Sequence, residues 1–137
     1  MSEVFIRDDE SLNLAEFALS IFSRLNVRFV EIRESSFYVE NTYIVGEALG
    51  ITVKLALTDY AEFSDYRYWL TLSAPHGLSE GERASLDGLA ELVAGALALE
   101  GLETARSLGL RNGDPKRVYR REVRSDSPGY VLRTTEA

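Results

Sequence analysis

A chain of 137 residues, 45% apolar and 27% charged, is one globular domain by size and needs no covalent staple to bury a core. It has no cysteine, which excludes disulfides and thiolate metal sites and suits a reducing, cytoplasmic setting. The net charge of −7 is uneven: residues 1–110 carry 8 Lys/Arg against 18 Asp/Glu (−10), and residues 111–137 carry 7 against 4 (+3). Such a body repels nucleic acid and attracts a basic protein.

The first ten residues lack the basic region and long apolar run of a secretory signal, and no apolar stretch reaches membrane-spanning length. Glu10 to Leu25 reads as an amphipathic helix, with Leu14, Phe17, Ala18, Ile21, Phe22 and Leu25 on one face. Asp9 or Ser11 is the expected N-cap, and Asn26 the stop. Strands are expected over Val27–Arg33 and Phe37–Val45, with a turn at Glu34–Ser36, then a loop over Gly46–Gly50 under which Leu49 tucks.

The clearest period-two pattern comes next. Ile51, Val53, Leu55 and Leu57 share one face of a third strand, and Tyr66, Tyr68, Leu70 and Leu72 the same face of a fourth. Trp69 then points to the other side with Arg67 and Thr71. Between the two strands, Asp59 to Tyr66 holds three carboxylates and three aromatic rings in eight residues.

Ser79-Glu-Gly-Glu82 matches a capping box and opens a second helix. Unbroken to Leu108, that helix would run about 43 Å, longer than the roughly 37 Å width of a domain this size, so a break is expected near Gly101. A fifth strand over Val118–Val123 and a short one over Tyr130–Arg133 lie in the arginine-rich tail, which either folds onto the acidic body or stays partly mobile. The expected fold is α+β: an antiparallel sheet of four or more strands, with both helices on the face lined by Val53, Leu55, Leu70 and Leu72. One domain spans 1–137, with 111–137 as its basic segment.

Catalytic signals are weak. His76, the only histidine, sits in a turn and has no G-x-S-x-G serine to serve. Asp59, Glu62 and Asp65 lack the glycine and ligand order of a calcium loop, and no glycine-rich phosphate loop exists. The pairs Glu31/Glu34 and Glu62/Asp65 are carboxylates without a feature to split their pKa values. The expectation is a binding domain without catalytic residues, metal or cofactor. Asp59, Tyr60, Glu62, Phe63, Asp65 and Trp69 are its candidate partner-binding residues, because Tyr and Trp dominate binding hot spots and the carboxylates suit a basic partner. The charge and the lack of a coiled-coil heptad favour a monomer, with a dimer as the alternative.

The segment from Glu31-Ile-Arg-Glu-Ser-Ser-Phe-Tyr38 through Tyr43 to Asp65-Tyr-Arg-Tyr-Trp69 resembles the immunity proteins that neutralise bacterial polymorphic or contact-delivered toxins. That resemblance implies a cytoplasmic inhibitor seated on a basic toxin. The size, acidity and order of helix, strands and helix are also similar to type III secretion chaperones, which implies a dimer holding an extended effector segment. An enzyme or small-molecule-binding α+β domain is the third possibility.

Overall fold

The computed structural model describes residues 2–8, 12–74, 79–109, 114–126 and 128–136. Eight antiparallel strands form one sheet in the order β2-β3-β4-β5-β1-β6-β7-β8. They are β1 (Ser2–Ile6), β2 (Arg28–Glu34), β3 (Thr42–Ala48), β4 (Ile51–Leu57), β5 (Tyr68–Ser73), β6 (Thr104–Ser107), β7 (Lys116–Val123) and β8 (Tyr130–Glu136). Helices α1 (Leu14–Arg24) and α2 (Glu80–Leu99) lie on one face, as the pattern of β4 and β5 requires.

The register explains that placement. Leu55 pairs with Leu70 and Val53 with Leu72, so one face of the β4–β5 ladder is wholly apolar. On β5's other side Val4 pairs with Leu70 and Ile6 with Tyr68, which extends that surface into β1. Leu14, Phe17, Ala18, Ile21 and Phe22 of α1 cover part of it, and Leu86, Ala90, Ala94, Leu97 and Ala98 of α2 another part. Small residues let α2 lie close to the strands beneath it, close enough for the Thr104 hydroxyl to donate to Ala94 O at 2.8 Å. Phe17 stacks on Tyr68 at 3.7 Å, and the Tyr68 hydroxyl donates to Leu12 O and lies 3.2 Å from Asp8. Burial and the Asp8 carboxylate push that phenol up to about 12.

The N-terminal strand at the centre of the sheet was not expected. The first helix starts later than its pattern suggested, with Asn13 as N-cap accepting from Glu16 N; the two residues expected there, Asp9 and Ser11, lie outside the described residues, as does His76. Ser79 caps α2 as its motif predicts, accepting from Glu82 N and donating to the Glu82 carboxylate. The helix ends at Leu99, and Gly101 turns the chain at φ +103°, a left-handed value that suits glycine. The chain then enters β6, so the helix expected to resume after Gly101 and end at a Gly109 cap is a strand instead.

Three local expectations are corrected. Leu49 does not tuck in: β3 runs on to Ala48, and Leu49-Gly50 form a tight turn with both φ positive, leaving Leu49 92% exposed. Residues 37–41 are not strand, because Glu40 and Asn41 both adopt positive φ and carry Tyr38 over the sheet. Tyr66 precedes β5 and packs on the opposite face with Phe5 and Phe63. A bulge at 28–31 interrupts β2, with Phe29 at φ +56°; Gly46 makes room for it, since a Cβ there would sit 2.9 Å from Arg28 O.

The basic tail is docked. Arg106, buried beneath α2, pairs with Asp87 and Glu91, and Arg117 bridges Glu91 and Glu136. On the far face Arg120 pairs with Glu103, whose other oxygen accepts from the Tyr66 hydroxyl at 2.7 Å. Among the described residues, no helix is long and apolar enough to cross a membrane.

Candidate functional site

Two connections, 35–41 and 58–67, lie over the face of the sheet away from the helices. Alternation in β1, β3, β4 and β5 turns Glu3 and Phe5, Tyr43, Lys54, and Trp69 and Thr71 to this side. The two connections lay their own rings on them. The result is a continuous aromatic row. Tyr43 stacks on Tyr38 at 4.5 Å, Tyr38 lies 6.0 Å from Trp69, and Trp69 meets Tyr60 edge-on at 5.2 Å. Tyr60 in turn meets Phe5 edge-on at 5.8 Å, Phe5 stacks on Phe63 at 3.7 Å, and Phe63 contacts Tyr66 at 6.2 Å. Lys54 stands over the Tyr43 ring and Lys116 over Phe63, where Lys116 also donates to Glu62 O.

The six expected partner-binding residues divide within this arrangement. Asp59 and Asp65 are exposed on the 58–67 connection, and no ion pair or hydrogen bond holds either carboxylate among the described residues. Tyr60 is 42% exposed, its ring braced at right angles by Phe5 and Trp69. Glu62 is half-buried beside Lys116. Trp69 is half-covered by Tyr38 and Tyr60. Phe63 is 4% exposed: it is the peg that fastens the connection to β1, and its ring cannot reach a partner without leaving Phe5.

Glu3 is the acid that sequence reasoning missed. Its carboxyl is pushed above the usual carboxylate range by burial among the rings, only partly offset by the Trp69 indole and by Arg106. The indole nitrogen is itself buried without a hydrogen bond of normal geometry, and the Glu3 carboxylate is the acceptor beside it. Tyr60 is pushed upward first by burial, then by the nearby negative charge of Glu3 and Asp59. Glu3, Tyr60 and Asp59 therefore make one region of negative potential framed by apolar ring surface. No group of three His, Cys, Asp or Glu side chains among the described residues is arranged to hold a metal ion.

Compared with known proteins, the chain matches no family model, no curated protein and no solved structure, so the geometry above is what bears on its function.

Proposed function

We propose that this chain is a protein-binding domain that meets a basic partner through the aromatic and acidic side of its sheet, and that it acts as an immunity protein, neutralising a basic bacterial toxin in the cytoplasm. One observation carries the reading: Tyr60, 42% exposed and braced edge-on by Phe5 and Trp69, stands next to the exposed Asp59 carboxylate on a connection pegged by Phe63. A pre-ordered ring beside negative charge is what a lysine- or arginine-bearing surface needs from its inhibitor. The rings exclude water around the ion pairs and so strengthen them.

The test begins with affinity capture from the native host and continues with binding kinetics on the captured protein. A basic toxin, bound more slowly by Asp59→Lys/Asp65→Lys and released faster by Tyr60→Ala, supports the reading. A partner whose kinetics ignore all three substitutions refutes it.

A second reading is an effector-binding chaperone. It is favoured by a different observation, the open β2 edge with an apolar groove beside it, because an extended segment can add to such an edge as a further strand. Binding by this route would be blocked by Ile32→Lys on β2 and left intact by the Asp59/Asp65 changes.

A further inference from the structure

We propose that β2 is a self-complementary edge, and that two copies of this chain join there, β2 against β2, into a continuous sixteen-stranded sheet. The argument is independent of the binding surface above.

The open groups of the edge come first. Ser35 N–H donates to Asn41 O at 2.9 Å, which makes Ser35 and Asn41 a hydrogen-bonded pair. In an antiparallel ladder such pairs alternate, so Arg33–Tyr43 and Glu31–Val45 also bond inward to β3. The N–H and C=O groups of Val30, Ile32 and Glu34 therefore point away from the sheet. A second strand placed with its two-fold axis at Ile32 takes up all of them. Ile32 faces Ile32 of the second copy in a hydrogen-bonded pair, and Glu34 faces Val30 of the second copy.

Charge selects this register. With the axis at Ile32, Arg33 stands opposite Glu31 of the second copy, and Glu31 opposite its Arg33. These are non-hydrogen-bonded positions, where opposed side chains lie closest. Moving the axis one residue sets Glu31 against Glu31 or Arg33 against Arg33. Moving it two residues sets Glu34 against Glu34, or runs Glu31 onto the bulge at Phe29. Only the Ile32 axis opposes unlike charges without opposing like ones.

The helix side of the edge agrees. Leu19 is 75% exposed, Ile32 66% and Val30 nearly half, and with Ala15, Phe22 and Val27 they line an apolar groove of about 360 Å³ between α1 and β2. A two-fold axis perpendicular to the sheet places the groove of one copy against the groove of the other. Edge strands that stay single are ordinarily protected by inward charges or brevity. β2 is bulged at its 28–31 end and carries four charges, but its stretch from Glu31 to Glu34 is regular, its charges are of both signs, and Val30 and Ile32 stand exposed along the edge.

The test measures mass in solution by light scattering on the full chain across the micromolar range. The parent should run at twice the 15.3 kDa of one chain. Glu31→Arg alone and Arg33→Glu alone each create two like-charge contacts across the axis and should weaken association by about tenfold or more. Circular dichroism confirms that each remains folded. Mixing the two single variants is decisive: arginines of one chain then face glutamates of the other, and a heterodimer should form although the 2.8 Å ion pair that Arg33 makes with Glu31 of its own chain stays broken. A monomeric parent, single variants that dimerise as tightly as the parent, or a mixture that stays monomeric would each overturn the proposal.

Discussion

Phe63 and Tyr60 are three residues apart on one connection, and the structure gives them opposite duties. Removing the Phe63 ring deletes a side chain that is 4% exposed and stacked at 3.7 Å on Phe5, in the small cluster with Tyr66 and Ala105. Buried Phe→Ala changes cost ~3–5 kcal/mol. The lower end applies here, because the cluster lies under a surface connection that can settle into the space, so ~3 kcal/mol is expected. For 137 residues the unfolding entropy is about 0.29 kcal/mol/K, and the loss converts to a fall in Tm of about 10 °C. Tyr60→Ala forfeits two edge-on ring contacts, each worth ~0.5–1.5 kcal/mol when fully buried and less at a half-exposed position. Its Tm should fall by no more than about 4 °C. Thermal unfolding followed by circular dichroism, with urea titration as a check on the slope, measures both. If Phe63→Ala melts within about 3 °C of the parent, the ring is not the peg of this connection and the ordered Tyr60 surface loses its foundation.

Further outcomes follow from the core and from two carboxylates shifted in opposite senses. Leu55→Ala, at a fully buried site beneath the helices, should cost ~2–5 kcal/mol in urea unfolding. Arg106→Met should cost ~3 kcal/mol, because Asp87 and Glu91 stay partly hydrated while the carbonyls of Glu3 and Asp87 lose a buried donor; a neutral result would show that the ion pairs only offset their own desolvation. Glu3 has a folded pKa above its unfolded one, so stability falls as the pH rises from the unfolded value through the folded one and stays reduced above it. Glu3→Gln should therefore raise Tm at pH 7, and the gain should vanish at pH 3, where both states are protonated. Glu103 has the reverse sign: burial raises it, but hydrogen bonds from Arg120 and Tyr66 prevail and hold it low. Its stabilisation is present at neutral pH and lost as the pH falls through the lowered pKa, and Glu103→Gln should flatten that acid limb of the Tm profile.

How far these features were legible depends on whether a segment carries its environment in its own pattern. β4 and β5 each meet helices on one side only, so Val53, Leu55, Leu70 and Leu72 announced the core face through simple alternation. Ser79 and Glu82 announced the start of α2 through a local bond. β1 gave no such signal. It is central, with Val4 and Ile6 under the helices and Phe5 under Phe63, so both its faces are filled and no alternation survives. β6 has four residues and a buried arginine, too little to distinguish it from the tail of a helix. At the candidate site, Asp59 and Tyr60 were visible as composition. Glu3 was not, because it reaches Trp69 only through the pairing of β1 with β5, a contact between chain segments more than sixty residues apart.

The binding surface and the proposed seam are linked by geometry. Antiparallel pairing about an axis perpendicular to the sheet keeps the two helix layers on one side and the two aromatic rows on the other. Tyr43 begins the row, and its partner in the β2–β3 ladder is Arg33, the residue that crosses the seam to Glu31 of the second copy. Two rows would therefore run outward from a shared line of four charges, each ending at its own Tyr60, Asp59 and Glu3. A partner with repeated basic segments would find both copies presented on one face. Once the first row is engaged the second binds at high effective concentration, so avidity would exceed the affinity of either row alone. The single-charge variants that open the seam leave Tyr60 and its carboxylates untouched. They should therefore lower avidity for an immobilised partner at high surface density and leave the one-to-one association rate of the separated chain unchanged. Equal losses in both measurements would mean that Glu31 and Arg33 contact the partner themselves, and that the row and the seam are one site.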